Sequence, residues 1–351
     1  MGPNELSAVV SLVQQVINGN ECTREFEVEL TKLVNSLSDE TDLLALLKST
    51  DEKRKFVGVY GLFIYYRHLM EYDKLENLFD SSKELFDQYH SLGHLRTIFY
   101  IDSDAYYSSD EIMQHLCDAS DVINHYRRIE KQSPDKQINL AGVEHAFADL
   151  FATYCERYES LQESIIAKWY KRALSAVDSA IHHSPEYAKY YCTRGRILAL
   201  ANHYDAALDE IQKAIRVESP SGNKENYSLR IMQYQSHKLN VQAKYQIYKL
   251  KSQQEKLNED IGKMKSSLIS NIEIIGFFSG IISFIIGSLT LANGETAKDA
   301  ASLIIVLFGA LLVVLDGFSF LLHSERKHFL KYIIILVIGV AIIIGGLHLV
   351  L

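Results

Sequence analysis

A single acid, Asp316, lies inside an otherwise uncharged run of 23 residues, Ala300–Leu322. A carboxylate in such a setting is costly unless it is protonated, paired or facing water. It stands six residues before Leu322, so on a helix it sits ~9 Å from that end. Its chemistry would be that of a pore-lining acid, a proton-sensitive group or a polar clasp to a neighbouring helix. A protonated Asp hydrogen-bonded within a helix bundle, beside Gly317 and Ser319, fits the same position. In the preceding apolar run Gly276 and Gly280 form a GxxxG pattern, which Ser283 and Gly287 extend on nearly the same face. Small residues there let helix backbones approach closely in lipid, within one block or between subunits. The rest of the inventory is thin. No Gly-rich phosphate loop, HExxH or GxSxG occurs. Asp102-Ser103-Asp104 has the spacing of a metal-binding DxD, but it precedes Ser108, where helix capping accounts for it. His182-His183 ends a helix, where the dipole favours histidine. His145 and Asp149 are one helical turn apart with no third metal ligand in view. Neither catalysis, a cofactor nor a metal is expected.

The elements that hold Asp316 and the glycines are three apolar runs at the end of the chain: Ile272–Ala292, Ala300–Leu322 and Tyr332–Leu351, of 21, 23 and 20 residues. A bilayer core of roughly 30 Å takes about 20 helical residues to cross, so each run is long enough to span. Orientation follows from the flanks. His323–Lys331 carries Arg326, Lys327 and Lys331 against Glu325, whereas Asn293–Asp299 carries only Lys298 against Glu295 and Asp299. The segment leading into the first run holds five lysines between Lys249 and Lys265. Because Lys and Arg gather on the cytoplasmic side, residues before 272 are expected inside, and the Asn293–Asp299 loop and the C-terminus on the opposite side. Met1–Asn20 has neither a basic n-region nor an uninterrupted apolar core, so no signal peptide is expected.

Upstream of the membrane runs the chain reads as helix throughout. Leu6, Val9, Val10, Val13, Val16 and Ile17 recur at steps of three and four, and Asn18-Gly19-Asn20 ends that helix. Phe56–Met70 and Tyr72–Tyr89 read as an antiparallel pair. Ser108 with Glu111 predicts a capping box opening a helix through Tyr126, and Leu140–Tyr158 forms another apolar-striped helix. Cys22, Cys117, Cys155 and Cys192 are far apart without a CxxC pair, which favours reduced thiols. Before Val241 there are 26 Lys and Arg against 36 Asp and Glu, and from Val241 onward 10 against 8. An acidic soluble part excludes nucleic acid as the main partner, since phosphate-backbone binding needs clustered cations.

Pro185 and Pro220 prompt a search for a repeat, and one is present. Ala173-Leu174 and Ala207-Leu208 are 34 residues apart, as are Ala180-Ile181 and Ala214-Ile215, and Tyr170 and Tyr204. From Ala188 to Pro220, Tyr191, Gly195, Tyr204, Ala207, Ala214 and Pro220 fall near the large and small positions of a 34-residue helix pair. This stretch resembles the tetratricopeptide repeat family, with a second unit before Pro185 and a more divergent one over Tyr60–Ser82. Arg194 departs from the pattern, standing where the family has an apolar residue. The resemblance implies a stack of helical hairpins that binds protein or peptide partners and not an enzyme. It places Lys189, Cys192, Arg196 and Leu200 on the inner surface, where Lys189 and Arg196 could receive an acidic peptide or a C-terminal carboxylate; solvated positions on an acidic domain are the plainer reading.

Between repeats and membrane, Ala243, Ile247, Leu250, Gln254, Leu257, Ile261, Met264, Leu268 and Asn271 alternate in steps of four and three. That is a coiled-coil seam of about four heptads, which fits either a homo-oligomer through 243–271 or a helix packed on its own repeat domain. The expected organisation is an all-α chain: helical hairpins over 1–135, tetratricopeptide-like repeats over 136–240, a stalk over 241–271 and a membrane domain over 272–351. Two functions fit it, a membrane-anchored interaction scaffold and a sensor whose membrane helices act as a pore or bilayer-disrupting effector.

Overall fold

The computed structural model describes residues 2–220, 224–292, 297–322 and 329–350, and it divides into two compact units, Met1–Ile247 and Tyr248–Leu351. Among the described residues the regular elements are helices, with one isolated antiparallel bridge between Thr23 and Ile138.

In the first unit the apolar spacing and the caps set the boundaries. Helix α1 (Pro3–Ile17) ends at Gly19, whose φ of 65° suits a residue without a Cβ. Helix α2 (Arg24–Ser36) is capped by the Thr23 hydroxyl, which accepts from Phe26 N at 3.3 Å. Then come α3 (Thr41–Leu47), α4 (Glu52–His68), α5 (Tyr72–Ser81), α6 (Lys83–Gln88) and α7 (Gly93–Asp102), the last preceded by a 3-10 turn. The expected single helix from Tyr72 to Tyr89 is therefore broken near Ser82. Apolar side chains of α1–α7 share one core, in which Phe26 stacks on Tyr60 at 5.8 Å.

Helix α8 (Ser109–Gln132) opens with the anticipated capping box: Glu111 N donates to Ser108 Oγ at 3.4 Å, and Ser108 N donates to the Glu111 carboxylate at 2.7 Å. It runs six residues past Tyr126, until Ser133 and Pro134. Helices α9 (Leu140–Arg157), α10 (Gln162–His183) and α11 (Ala188–Leu200) complete a second core with α8. Helix α9 is its axis, with Phe147, Ala148, Leu150, Phe151, Ala152 and Tyr154 fully buried. Helix α12 (Tyr204–Val217) packs against α11 where Gly195 lets the backbones meet. A Cβ at that glycine would lie 2.6 Å from Ile211 Cγ1 and 2.7 Å from the Ala207 carbonyl oxygen. Tyr234 and Val241, from the start of α13 (Lys224–Ala292), close a third core with α11 and α12.

In the second unit α13 continues without a break from the stalk through the first apolar run. Helices α14 (Ala297–Leu322) and α15 (Phe329–Val350) follow the other two runs closely. All three are long and apolar enough to cross a membrane. The basic residues Arg326 and Lys327, and Glu295 of the opposite flank, lie outside the described residues. Helices α14 and α15 cross at glycines: a Cβ on Gly309 would fall 2.8 Å from the Gly339 carbonyl oxygen and one on Gly346 3.1 Å from Val306 N. The first run meets α14 through Gly280, 2.5 Å from Leu311 Cδ1 by the same construction, and through Gly287, 3.4 Å from Leu307 Cδ1.

Candidate functional site

Helix α11 carries the four residues expected on an inner surface, and the fold uses most of them internally. Cys192 is 3 % exposed, and burial pushes its thiol up to about 12. Leu200 packs against the second core. Arg196 is 8 % exposed and surrounded by α9. Its guanidinium donates to Asp149 Oδ1, to Thr153 Oγ1 at 3.0 Å and to the Glu156 carboxylate at 2.8 Å. Lys189 reaches the other oxygen of Asp149 at 3.0 Å, with 52 % of its side chain still exposed. A carboxylate that these two cations could have received from a peptide is supplied to both by α9, and Lys189 is the most exposed of the four residues.

Asp149 is nearly fully buried. Burial alone would raise its pKa, but the Lys189 and Arg196 charges outweigh it and hold the carboxyl well below the usual range. One turn earlier His145 pairs through Nε2 with Thr193 Oγ1 at 3.0 Å. Burial, joined by the Lys189 and Arg196 charges, lowers its pKa to about 3, so the ring is neutral at physiological pH. His145 and Asp149 therefore have a role in the fold, and among the described residues no group of three or more His, Cys, Asp and Glu is arranged to hold a metal. Arg194, the departure from the repeat pattern, bridges two helices, bonding Asp178 of α10 at 2.7 Å and Glu210 of α12 at 2.8 Å.

A groove lies elsewhere, between α6, α7 and α8, with a volume of about 540 Å³. In its lining Gly93 lets α7 approach α8 closely: a Cβ there would come 2.6 Å from Val122 Cγ2. Aromatic faces line one side. Tyr100 and His115 stack at 3.6 Å, and His115 Nδ1 bonds the Tyr154 hydroxyl at 2.6 Å. The His90 and His125 rings lie 5.4 Å apart, and the Arg96 guanidinium sits 4.6 Å from the Phe86 ring centre. Asp118 and Asp121 face the same space as Arg128. Burial lowers the pKa of both His115 and His125, and for His125 the nearby His90 and Arg128 add to the effect. Beneath the groove His94 bonds the Ser91 carbonyl oxygen through Nδ1 at 2.7 Å and the Tyr60 hydroxyl through Nε2 at 3.0 Å. The carbonyl can only accept, so Nδ1 carries the proton and Tyr60 donates to Nε2. Imidazoles, ring faces and both signs of charge thus line one space. The sequence pattern did not flag these residues, because they converge from three helices spread over positions 86 to 128; a local excess of His between positions 90 and 125 was the available signal.

No protein-family model, curated protein or solved structure matches this chain.

In the second unit the predicted small-residue face divides by neighbour. Gly280 and Gly287 approach α14 as described, Ser283 Oγ donates to the Ser279 carbonyl oxygen of its own helix at 2.9 Å, and Gly276 is half-buried. Asp316 is 7 % exposed and Ser302, on the same helix, 2 %. The glycines that matter most for close approach, Gly309, Gly339 and Gly346, form no GxxxG pattern and were not singled out from the sequence.

Proposed function

We propose that this chain is a membrane-anchored protein-interaction scaffold, with its helical domain on the cytoplasmic side and its C-terminus across the bilayer. What supports the reading is the pairing, in one chain, of an all-helical domain bearing a mixed aromatic and charged groove with three helices long and apolar enough to span. The domain is of tetratricopeptide type over α11 and α12, a reading supported by Gly195 meeting Ala207 and Ile211 at the position where such hairpins need a small residue. The α6–α8 groove is the partner surface, taking a polar protein or peptide segment. The test is a photo-crosslinking residue introduced at Asp121, in the groove, or at Asp209, exposed on α12. In membranes of expressing cells a discrete crosslinked protein at Asp121 and not at Asp209 is the expected result, and an equal or empty pattern at both would defeat the reading.

A second reading rests on Asp316. A buried acid on a membrane-length helix is the feature an effector would need, with the helical domain as sensor and the helices as a pore or bilayer-disrupting block. Induced expression of the full chain, a Met1–Asn240 truncation and Asp316→Asn in bacteria, with a potential-sensitive dye, separates the two. Depolarisation by the full chain alone favours the effector, and silence from all three favours the scaffold.

A further inference from the structure

Five large side chains of α13, Leu250, Leu257, Ile261, Met264 and Leu268, are each 53–65 % exposed within the single chain. The lysines and acids interleaved with them, from Lys251 to Lys265, place this stretch in water. An exposed apolar stripe in water needs a cover. With Leu250 and Leu257 at heptad position d, Ile261 falls at a, and Glu259, with its 2.7 Å ion pair to Lys263, lies on the far side of the helix. The register continues past the stalk. Ile275 and Ile282 take a, Phe278 and Ile285 take d, and these four are 50–65 % exposed. Gly280 and Gly287 both fall at f, opposite the seam, and it is this face that meets Leu311 and Leu307 of α14. Helix α14 therefore attaches to α13 from behind and leaves the a/d seam open from Leu250 to Ile285, ~53 Å of helix.

We propose that the seam is covered by a second copy of this chain, in a parallel two-stranded pairing that runs unbroken from the stalk into the first membrane helix. The two α13 helices then form the axis of the dimer, and each α14–α15 pair lies outside it. The occupant is argued from the seam's own residues. Gln254 at a and Asn271 at d are polar layers, and only an in-register copy sets each against its own kind, where the amides can bond one another instead of being buried against an aliphatic chain. Ile at a with Leu at d favours two strands. Asp260 at g reaches Lys265 at e of the second copy in a parallel pair, whereas an antiparallel pair would set the e-position lysines, Lys251 and Lys265, against each other. Insertion of both copies through the same end of α13 gives the same polarity. This assembly does not depend on what the helical domain binds.

The test uses the full chain in lipid nanodiscs, with Cys117→Ser removing the least buried thiol; the other three cysteines are buried. Single cysteines are placed on the seam, Leu257→Cys in the stalk and Phe278→Cys in the membrane, and off it, Glu259→Cys and Ser283→Cys. Mild oxidation is expected to give disulfide-linked dimers at both seam positions with at least tenfold higher yield than at the off-seam positions. Light scattering should return twice the 40.0 kDa chain mass, and Leu257→Asp, at a side chain 59 % exposed within the single chain, should halve it without loss of helicity. A mass of one or three chains, equal yields at Leu257→Cys and Glu259→Cys, or a dimer that survives Leu257→Asp would overturn the proposal. Crosslinking at Leu257→Cys without Phe278→Cys would overturn its continuation into the membrane.

Discussion

Acidification should destabilise the helical domain through His145, and the size of the effect can be worked out. His145 is 6 % exposed, and burial beside Lys189 and Arg196 lowers its pKa to about 3, against an ordinary histidine value of ~6.5. A folded-state pKa below the unfolded one means that the unfolded chain binds the extra proton. The contribution is therefore fully present above pH ~6.5 and falls away through the window down to about 3. Between pH 7.5 and 5.0 the loss is about 1.5 units at 1.36 kcal/mol each, or ~2 kcal/mol. The figure changes little for any folded-state value well below 5. Other histidines, the buried His94 and the half-buried His237 among them, are also shifted down by burial, so the informative quantity is the difference between wild type and His145→Gln, whose amide can still meet Thr193. Urea unfolding followed by Trp169 suits the measurement. It is the chain's one tryptophan, 7 % exposed in the second core and set edge-on to Phe147 at 5.8 Å, so it reports this domain and not the membrane helices. With a slope of about 2–3 kcal/mol per molar urea, the wild-type midpoint should drop by roughly 1 M more than that of the variant between the two pH values. Equal drops would refute the burial of a neutral His145 between two cations.

The same network predicts an asymmetry among its other members. Asp149→Asn leaves the buried Arg196 short of a counter-charge and should cost ~3–5 kcal/mol by the same assay, whereas Lys189→Met, at a half-exposed ammonium, should cost under ~1 kcal/mol. Gly195→Ala forces a methyl against Ile211 and the Ala207 carbonyl, and a loss of ~1–3 kcal/mol is expected. Gly309→Val should separate α14 from α15, because even a Cβ there meets Gly339 and Ile343; the chain's aggregation temperature in detergent should fall, while Gly317→Ala, with nothing within 4 Å, should leave it unchanged.

Features that a few neighbouring residues decide were legible in the sequence. An apolar run of about 20 residues has one economical fate, and α14 and α15 begin and end within three residues of the predicted bounds. Ser108 and Glu111 form their box because both partners sit in one turn, and Gly19 stops α1 by its own backbone freedom. What depended on distant partners was not legible. The Tyr72–Tyr89 helix breaks at Ser82, which is itself buried, to let Phe79 and Phe86 meet edge to face at 5.1 Å, a demand of the core that local periodicity does not encode. Lys189 and Arg196 were recognisable as cations of one helix, but their shared acid lies 40 and 47 residues upstream. Gly309 and Gly339 contact each other from two different apolar runs, where no spacing rule within one run could pair them.

Helix α11 gives the acid excess of the helical domain a structural meaning. Its three cations, Lys189, Arg194 and Arg196, bond carboxylates from the three helices packed around it: Asp149 and Glu156 on α9, Asp178 on α10 and Glu210 on α12. Four acids of the first 240 residues are thus paired with one basic helix. Two of these charges, Arg196 and Asp149, have side chains only 8 % and 3 % exposed and are screened little by salt, so they bind α9 to α11 at any ordinary ionic strength. They also fix register, because a slip of one turn between α9 and α11 would leave Arg196 and Asp149 buried without each other, at a cost a packed apolar seam would not impose. Apolar burial holds the hairpins together; the ion pairs on α11 select which faces of them meet.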